Sequence, residues 1–173
     1  LSHGDQTGMW MLNYPFPYPE PDVNRQIEAL CRRLADLMET EALTELGSKL
    51  PAYLALRRDL ERALRPEDFR YFSFQVWQEG IARYTEYRIA RLAAEHYKPS
   101  KEFQALSDFR SFETVAEDLR THIVIELSTL DLEKYGRASF YPIGAAEALI
   151  LDRVKPAWRR RYFSDKWYVD RYF

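Results

Sequence analysis

Apolar residues recur every three or four positions along most of the chain, which is the spacing of one face of a helix. The clearest run follows Pro21 and comprises Ile27, Leu30, Leu34, Leu37 and Met38. Asp22 is the predicted N-cap of this helix, and Gly47 is its predicted end. Residues 1–21 carry closely spaced prolines in their second half, so we expect an irregular, Pro-rich entry segment there.

The helical period continues through the rest of the chain. A second helix is predicted from about Pro51 to Arg65, and a third from residues 66–68 to Tyr97. Residues 121–128 could form a strand, but acid-rich helical segments on both sides favour a helix. The remaining predicted helices lie near 101–107, over 111–133, through 144–154 and over 157–163, with a break at 134–142. The pattern predicts an all-α chain forming a single multi-helix domain, residues 1–173.

Composition narrows the classes of protein and of partner. A length of 173 residues suits one domain, and 46% hydrophobic with 15% aromatic residues excludes a disordered chain. The net charge of −2 does not favour a nucleic-acid partner. No apolar run is long enough for a membrane span. Cys31 is expected to be a core residue, and the compartment stays open between the cytoplasm and export.

The C-terminal segment, residues 158–173, alternates arginines with aromatic side chains, a composition that could stack on nucleic-acid bases. Asp165 and Asp170 interrupt it. We therefore favour packing against the chain's own core, or a homo-oligomeric contact through these aromatic residues.

Glu79 is a carboxylate inside an apolar helix, and Gly80 follows it directly. Glycine in a helix interior costs about 1 kcal/mol relative to alanine, and a buried unpaired carboxylate costs several more. Glu79 therefore either faces water or has a compensating charge nearby, and Gly80 would allow another backbone to approach closely. Arg83 and Glu86 follow on the same side of the helix.

Two further side chains are candidates for chemistry. His3 stands in LSHGDQ, where a preceding His-Glu would complete H-E-L-S-H, a zinc-binding H-E-x-x-H motif. Tyr141 precedes Gly144 at the start of an apolar helix, where its hydroxyl can face a cavity while its ring packs. Taken singly, a terminal histidine, a solvated glutamate and a half-buried tyrosine are ordinary structural residues, as we expect His96 and His122 to be.

Residues 78–86, QEGIARYTE, resemble the helical phrase N-E-G-x-A-x-Y-x-E of the gluzincin zinc metallopeptidases, the aminopeptidase-like group with its peptidase MA-like relatives. The later YPIG at 141–144, followed by a Leu-rich helix, is similar to a second segment of that group. His3, Glu79 and Tyr141 also follow the family's order. Gln78 departs from the usual asparagine, and the separation between His3 and Glu79 is far longer than in compact members.

This resemblance implies the helical half of a thermolysin-like zinc peptidase, with the first histidine and the catalytic glutamate preceding Leu1 in a longer chain. It implies Zn²⁺ bound by His3 and Glu79, and metal-activated water that attacks a peptide or peptide-like substrate. Tyr141 would donate a hydrogen bond to the developing oxyanion, and Arg83 or Glu86 would orient the ligands.

Two other classes of function stay open. A degenerate relative would bind a peptide or a small molecule without cleaving it. The two residues before Leu1 would distinguish it from an enzyme, because His-Glu there supports catalysis and any other pair supports the degenerate relative. A helical interaction domain with no site would be favoured by a fully exposed Glu79 far from Tyr141.

Overall fold

Helices dominate the computed structural model, which describes residues 9–173. In chain order they are α1 (Pro21–Glu39), α2 (Leu43–Ala63), α3 (Pro66–Gln75), α4 (Ile81–His96), α5 (Lys101–Gln104), α6 (Phe112–Ser128), α7 (Leu132–Tyr135) and α8 (Phe140–Val154). A π-helical turn, Val76–Gly80, joins α3 to α4, and 3₁₀ turns lie at Met9–Met11, Gly136–Ser139, Trp158–Arg161 and Val169–Tyr172. No strand occurs in this part of the chain, so the predicted all-α class is confirmed, with residues 121–128 inside α6.

Helix α8 lies at the centre of one hydrophobic core. It contacts α1, α2, α3, α4 and α6, while α1 packs on α2 and α4 packs on α6. Nearly every residue of its first three turns is buried, including Ile143, Ala146 and Ile150. A helix that is apolar on all sides is stable only when other helices surround it, so this sequence accounts for its position.

Two predicted helix boundaries are wrong at the start of the fold. Asp22 is not the N-cap: Glu20 occupies that position, Pro21 begins the helix, and Asp22 pairs with Arg25 in the first turn. Gly47 does not end α1 either, because the helix has already stopped at Thr40, whose hydroxyl donates to the Asp36 carbonyl.

Gly47 and Pro51 instead both lie inside α2. Both residues are exposed. Proline removes one N–H donor from a helix, and the carbonyl four residues earlier, that of Gly47, can hydrogen-bond to water at this exposed face. The sequence signals for a helix break were therefore outweighed by the buried contacts of Leu46, Tyr53 and Leu60 on the opposite face.

The predicted long helix from residue 66 to the region of Tyr97 is confirmed as the succession α3, π turn and α4, although the π turn itself was not predicted. Two of the helices predicted later in the chain were too long. The helix near 101–107 is reduced to the four residues of α5, and the one over 157–163 is a 3₁₀ turn. The predicted break at 134–142 was also too long, because α7 runs to Tyr135 and α8 begins at Phe140. The shorter break contains Gly136, whose φ of +53° favours glycine.

The C-terminal segment packs against the chain's own core. Trp158, Val169 and Tyr172 are buried, and Tyr162 stacks on Trp77 with ring centroids 4.7 Å apart. Cys31 is fully buried, as expected for a core residue. None of the helices within residues 9–173 combines the length and the apolarity needed to cross a bilayer.

A buried ionic cluster ties this segment to the core. Arg57 on α2 lies with its Nε 3.1 Å from Glu147 Oε1 on α8, and its Nη2 donates to Asp170 at 3.0 Å. The Tyr53 hydroxyl also donates to Glu147. Burial raises the pKa of Glu147 to about 7, against the opposing charge of Arg57.

This raised pKa predicts that stability increases when the pH is lowered. The folded protein retains a proton that the unfolded chain, with an ordinary value of 4.5, loses as the pH rises. The contribution is therefore complete below pH 4.5, is lost up to about pH 7, and changes by roughly 1.4 kcal/mol per pH unit inside that window. Urea unfolding across the window should show a steeper fall with pH for the natural chain than for Glu147→Gln. Identical slopes would mean that Glu147 titrates normally.

Candidate functional site

Glu79 projects from the π-helical turn Val76–Gly80. Such a turn holds one more residue than an α-helical turn and is often found at functional sites, because it changes the direction in which side chains point. The Glu79 side chain is only 15% exposed. It therefore lies at the edge of the core rather than in open solvent.

Gly80 and Gly144 bring the π turn and α8 into backbone contact. A Cβ atom added at Gly80 would lie 2.3 Å from the Gly144 Cα, and one added at Gly144 would lie 2.2 Å from the Val76 carbonyl oxygen. No side chain fits at either position, because its Cβ would overlap these backbone atoms. The prediction that Gly80 allows a neighbouring helix to approach is confirmed, and the second glycine is its counterpart on the other helix.

Tyr141 follows on the first turn of α8 and meets Glu79. A side-chain hydrogen bond to Glu79 is the main cause that raises the pKa of Tyr141, followed by burial and by the charge of Glu79. The ordinary pKa of 10.0 already keeps the phenol protonated at neutral pH, and the upward shift extends the pH range in which it is a donor. Two of the three predicted site residues that lie far apart in sequence are thus adjacent in space.

A guanidinium group compensates the charge of Glu79. The Arg137 Nε lies 4.0 Å from Glu79 Oε1, and the charge of Arg137 also acts on Tyr141. Arg137 stands on the 3₁₀ turn four residues before Tyr141, a spacing that was visible in the sequence but was not used. Glu79 therefore has a counter-charge in the described structure without any metal.

The two predicted orienting residues lie at different depths. The Arg83 guanidinium is 5.9 Å from the centroid of the Tyr141 ring, so it borders the site. Its Nε lies 3.5 Å from Glu86 Oε2, and its Nη1 lies 3.8 Å from Glu126 Oε2 on α6. The Glu86 side chain is 58% exposed and reaches the site only through Arg83.

His3 lies outside the described residues, so its position relative to Glu79 stays a prediction. Within residues 9–173, no group of three or more His, Cys, Asp or Glu side chains is arranged to hold a metal ion. His96 is exposed at the end of α4. The described part of the chain thus supplies one of the two predicted zinc ligands.

A cavity of about 320 Å³ lies beside this site. Sequence reasoning did not find it, although His122 and Glu126 stand four residues apart on one face of α6. The cavity is lined by His122, Ile125, Glu126, Thr129, Leu130, Tyr135, Ala138, Ser139 and Pro142. Ser139 and Pro142 flank Tyr141 in the chain, and Glu126 contacts Arg83, so the cavity and the Glu79–Tyr141 pair share a border.

Comparison of the chain with protein-family models, with curated proteins and with solved structures yields no match.

Proposed function

We propose that this chain is part of a zinc-dependent hydrolase, and that the hydrolase is a metallopeptidase. The observation that carries the proposal is the contact between Glu79 and Tyr141, which the resemblance to gluzincins places in one catalytic site. The Gly80–Gly144 contact beneath them supports it, because it holds the two helices that carry these residues at one short separation.

The residues present fit zinc in part. A carboxylate oxygen is a normal zinc donor, and Glu79 is largely shielded from water. Glu79 and His3 would hold the metal, as the resemblance implies. Bound zinc would polarise a peptide carbonyl and lower the pKa of a water molecule.

The chain's own residues would serve the reaction by positioning and proton donation. Tyr141 keeps its hydroxyl proton at neutral pH, as a tyrosine does even at its ordinary pKa of 10.0, so it can donate a hydrogen bond to an oxyanion. Such a donor is typically worth a few kcal/mol in the transition state. Arg137 and Arg83 would orient Glu79 and the Tyr141 ring, since each lies against one of them.

Zinc content should depend on Glu79. In the full-length protein, Glu79→Ala is expected to weaken zinc binding by at least about tenfold, because even loss of a residue behind a ligand has that effect. Elemental analysis after dialysis measures this directly. Tyr141→Phe is the matched control in the same site and should keep its zinc, since the phenol is not a ligand. Equal zinc content in the natural protein and in Glu79→Ala would refute the proposed metal centre.

A second candidate is a catalytically inactive relative that binds a peptide or a small molecule. The proximity of Arg137 favours it, because Glu79 then needs no metal to balance its charge. A full-length protein without zinc and without peptidase activity, but with a measurable ligand affinity, would support this candidate. The helical interaction domain gains nothing here, since Glu79 is mostly shielded and contacts Tyr141.

A further inference from the structure

The cavity beside the Glu79–Tyr141 pair contains a buried hydroxyl that the fold does not use. Ser139 is 2% exposed, and its Oγ has no hydrogen-bond partner among residues 9–173. Leaving a buried polar group in this condition normally destabilises a fold by about 1–3 kcal/mol. Ser139 lines the cavity, so a ligand there could complete its hydrogen bonding.

A carboxylate oxygen of a residue that lines the same cavity also lacks a hydrogen-bond partner. Glu126 Oε2 is buried and accepts no hydrogen bond from the described residues, while the side chain as a whole is 34% exposed. Its cationic neighbour, Arg83, lies 3.8 Å away, beyond hydrogen-bond distance, and is shared with Glu86 at 3.5 Å. The Glu126 carboxylate can therefore accept a hydrogen bond from an additional positively charged donor.

The remaining lining determines the rest of the ligand's chemistry. Among the described residues that line the cavity there is one carboxylate and neither lysine nor arginine. Lys134 lies nearby, with its Nζ 4.9 Å from the Tyr135 ring centroid, but it is not part of the lining. Four apolar side chains, Ile125, Leu130, Ala138 and Pro142, form part of the wall, and His122, Thr129 and Tyr135 complete it.

We propose that this cavity binds a primary ammonium group carried on a short apolar stem, as in an alkylamine or a lysine-type side chain. An ammonium group has three N–H donors and no acceptor, so it can donate to the Glu126 carboxylate and to the Ser139 hydroxyl. The aliphatic stem packs against Ile125, Leu130 and Pro142. The volume of about 320 Å³ lies at the lower end of small-molecule sites, which suits a ligand of this size.

This binding site is independent of the proposed hydrolase, because it requires no metal and no reaction. In a peptidase it would select substrates with a basic side chain next to the scissile bond. In an inactive relative it would be the ligand site itself.

The experiment is calorimetric titration of the full-length protein with n-butylammonium, with and without a chelator. The matched probes are n-butanol, which keeps the stem and lacks the charge, and butyrate, which reverses the charge. Saturable binding of n-butylammonium alone, with or without chelator, is the expected result. Because chelation does not change it, a failure of the zinc proposal leaves this outcome unaffected.

Variants locate the site. Glu126→Gln should weaken n-butylammonium binding about ten- to a hundredfold, the range for a lost hydrogen bond to a charged group, and Ser139→Ala should weaken it less. Glu117→Gln removes the same charge from an exposed position on the same helix and should leave binding unchanged. Thermal unfolding shows that each variant is folded.

Three results would overturn the proposal. They are equal binding of n-butanol, preferred binding of butyrate, and an affinity that Glu126→Gln and Ser139→Ala both leave unchanged. Absence of saturable binding in the natural protein would overturn it as well.

Discussion

Gly144→Ala should destabilise the fold by about 3 kcal/mol or more, as expected for overpacking against atoms that cannot move aside. The new Cβ would lie 2.2 Å from the Val76 carbonyl oxygen and 2.7 Å from the Gly80 Cα. Both are backbone atoms, and α8 is surrounded by other helices, so the π turn and α8 must separate. Urea unfolding measures the loss.

The matched control is Gly47→Ala, also inside a helix. The structure places no described atom outside the local helix backbone within 4 Å of a Cβ at Gly47, so the substitution should stabilise the protein by about 1 kcal/mol through helix propensity. The two glycine-to-alanine changes are therefore expected to have opposite signs. A neutral or stabilising Gly144→Ala would show that the two helices do not make this contact. Separating them would also move Tyr141 away from Glu79, so any activity should fall with stability.

Arg57→Met should destabilise the protein by about 3–5 kcal/mol at neutral pH, the usual result of removing one partner of a buried ion pair. Arg57 is 1% exposed and lies between Glu147 and Asp170, with its guanidinium 4.7 Å from the Phe72 ring centroid. Methionine keeps most of the apolar contact but removes the cation that lies between the carboxyl groups of Glu147 and Asp170. Denaturant unfolding of the natural chain and the variant gives the difference.

Arg62→Met on the same helix is the control for this experiment. Its pair with Asp59 spans 3.0 Å, but the Arg62 side chain is 74% exposed, so its loss should change stability by less than about 1 kcal/mol. The loss in Arg57→Met should shrink in mild acid, because Glu147 is then protonated and no longer needs a counter-charge. Similar small effects of the two substitutions would mean that the buried cluster contributes little to stability.

Local sequence signals were sufficient to predict most of the helices. The apolar period together with the prolines predicted the start of α1 to within two residues, the long helix from Pro66 to the region of Tyr97, and the apolar helix α8. The wrong helix break fell at Gly47 and Pro51, where exposure decides whether a helix-breaking residue is tolerated. Exposure depends on which face packs against other helices, and a local window does not contain that information.

The candidate site, like the fold, was predictable from the sequence only in part. The unusual Glu79–Gly80 pair and the Tyr141 to Gly144 segment were recognisable from residue types alone, and the structure brings them together. The positions of Arg137, Glu126 and Ser139 at the site were not predictable, because they depend on how the turn before α8 packs against the π turn and against α6. The sequence of one segment does not indicate which other segments it will contact. Direct contact between segments distant in sequence is set by the packing of the whole domain.

The sequence by itself therefore determined the helical class, the apolar character of α8 and the candidate site residues. Only the tertiary structure decided the π turn that aims Glu79, the glycine contact beneath it, the arginine that balances its charge and the cavity alongside. The physical reason is range: helix formation depends on neighbours within about four residues, whereas charge compensation and cavities depend on which helices lie side by side.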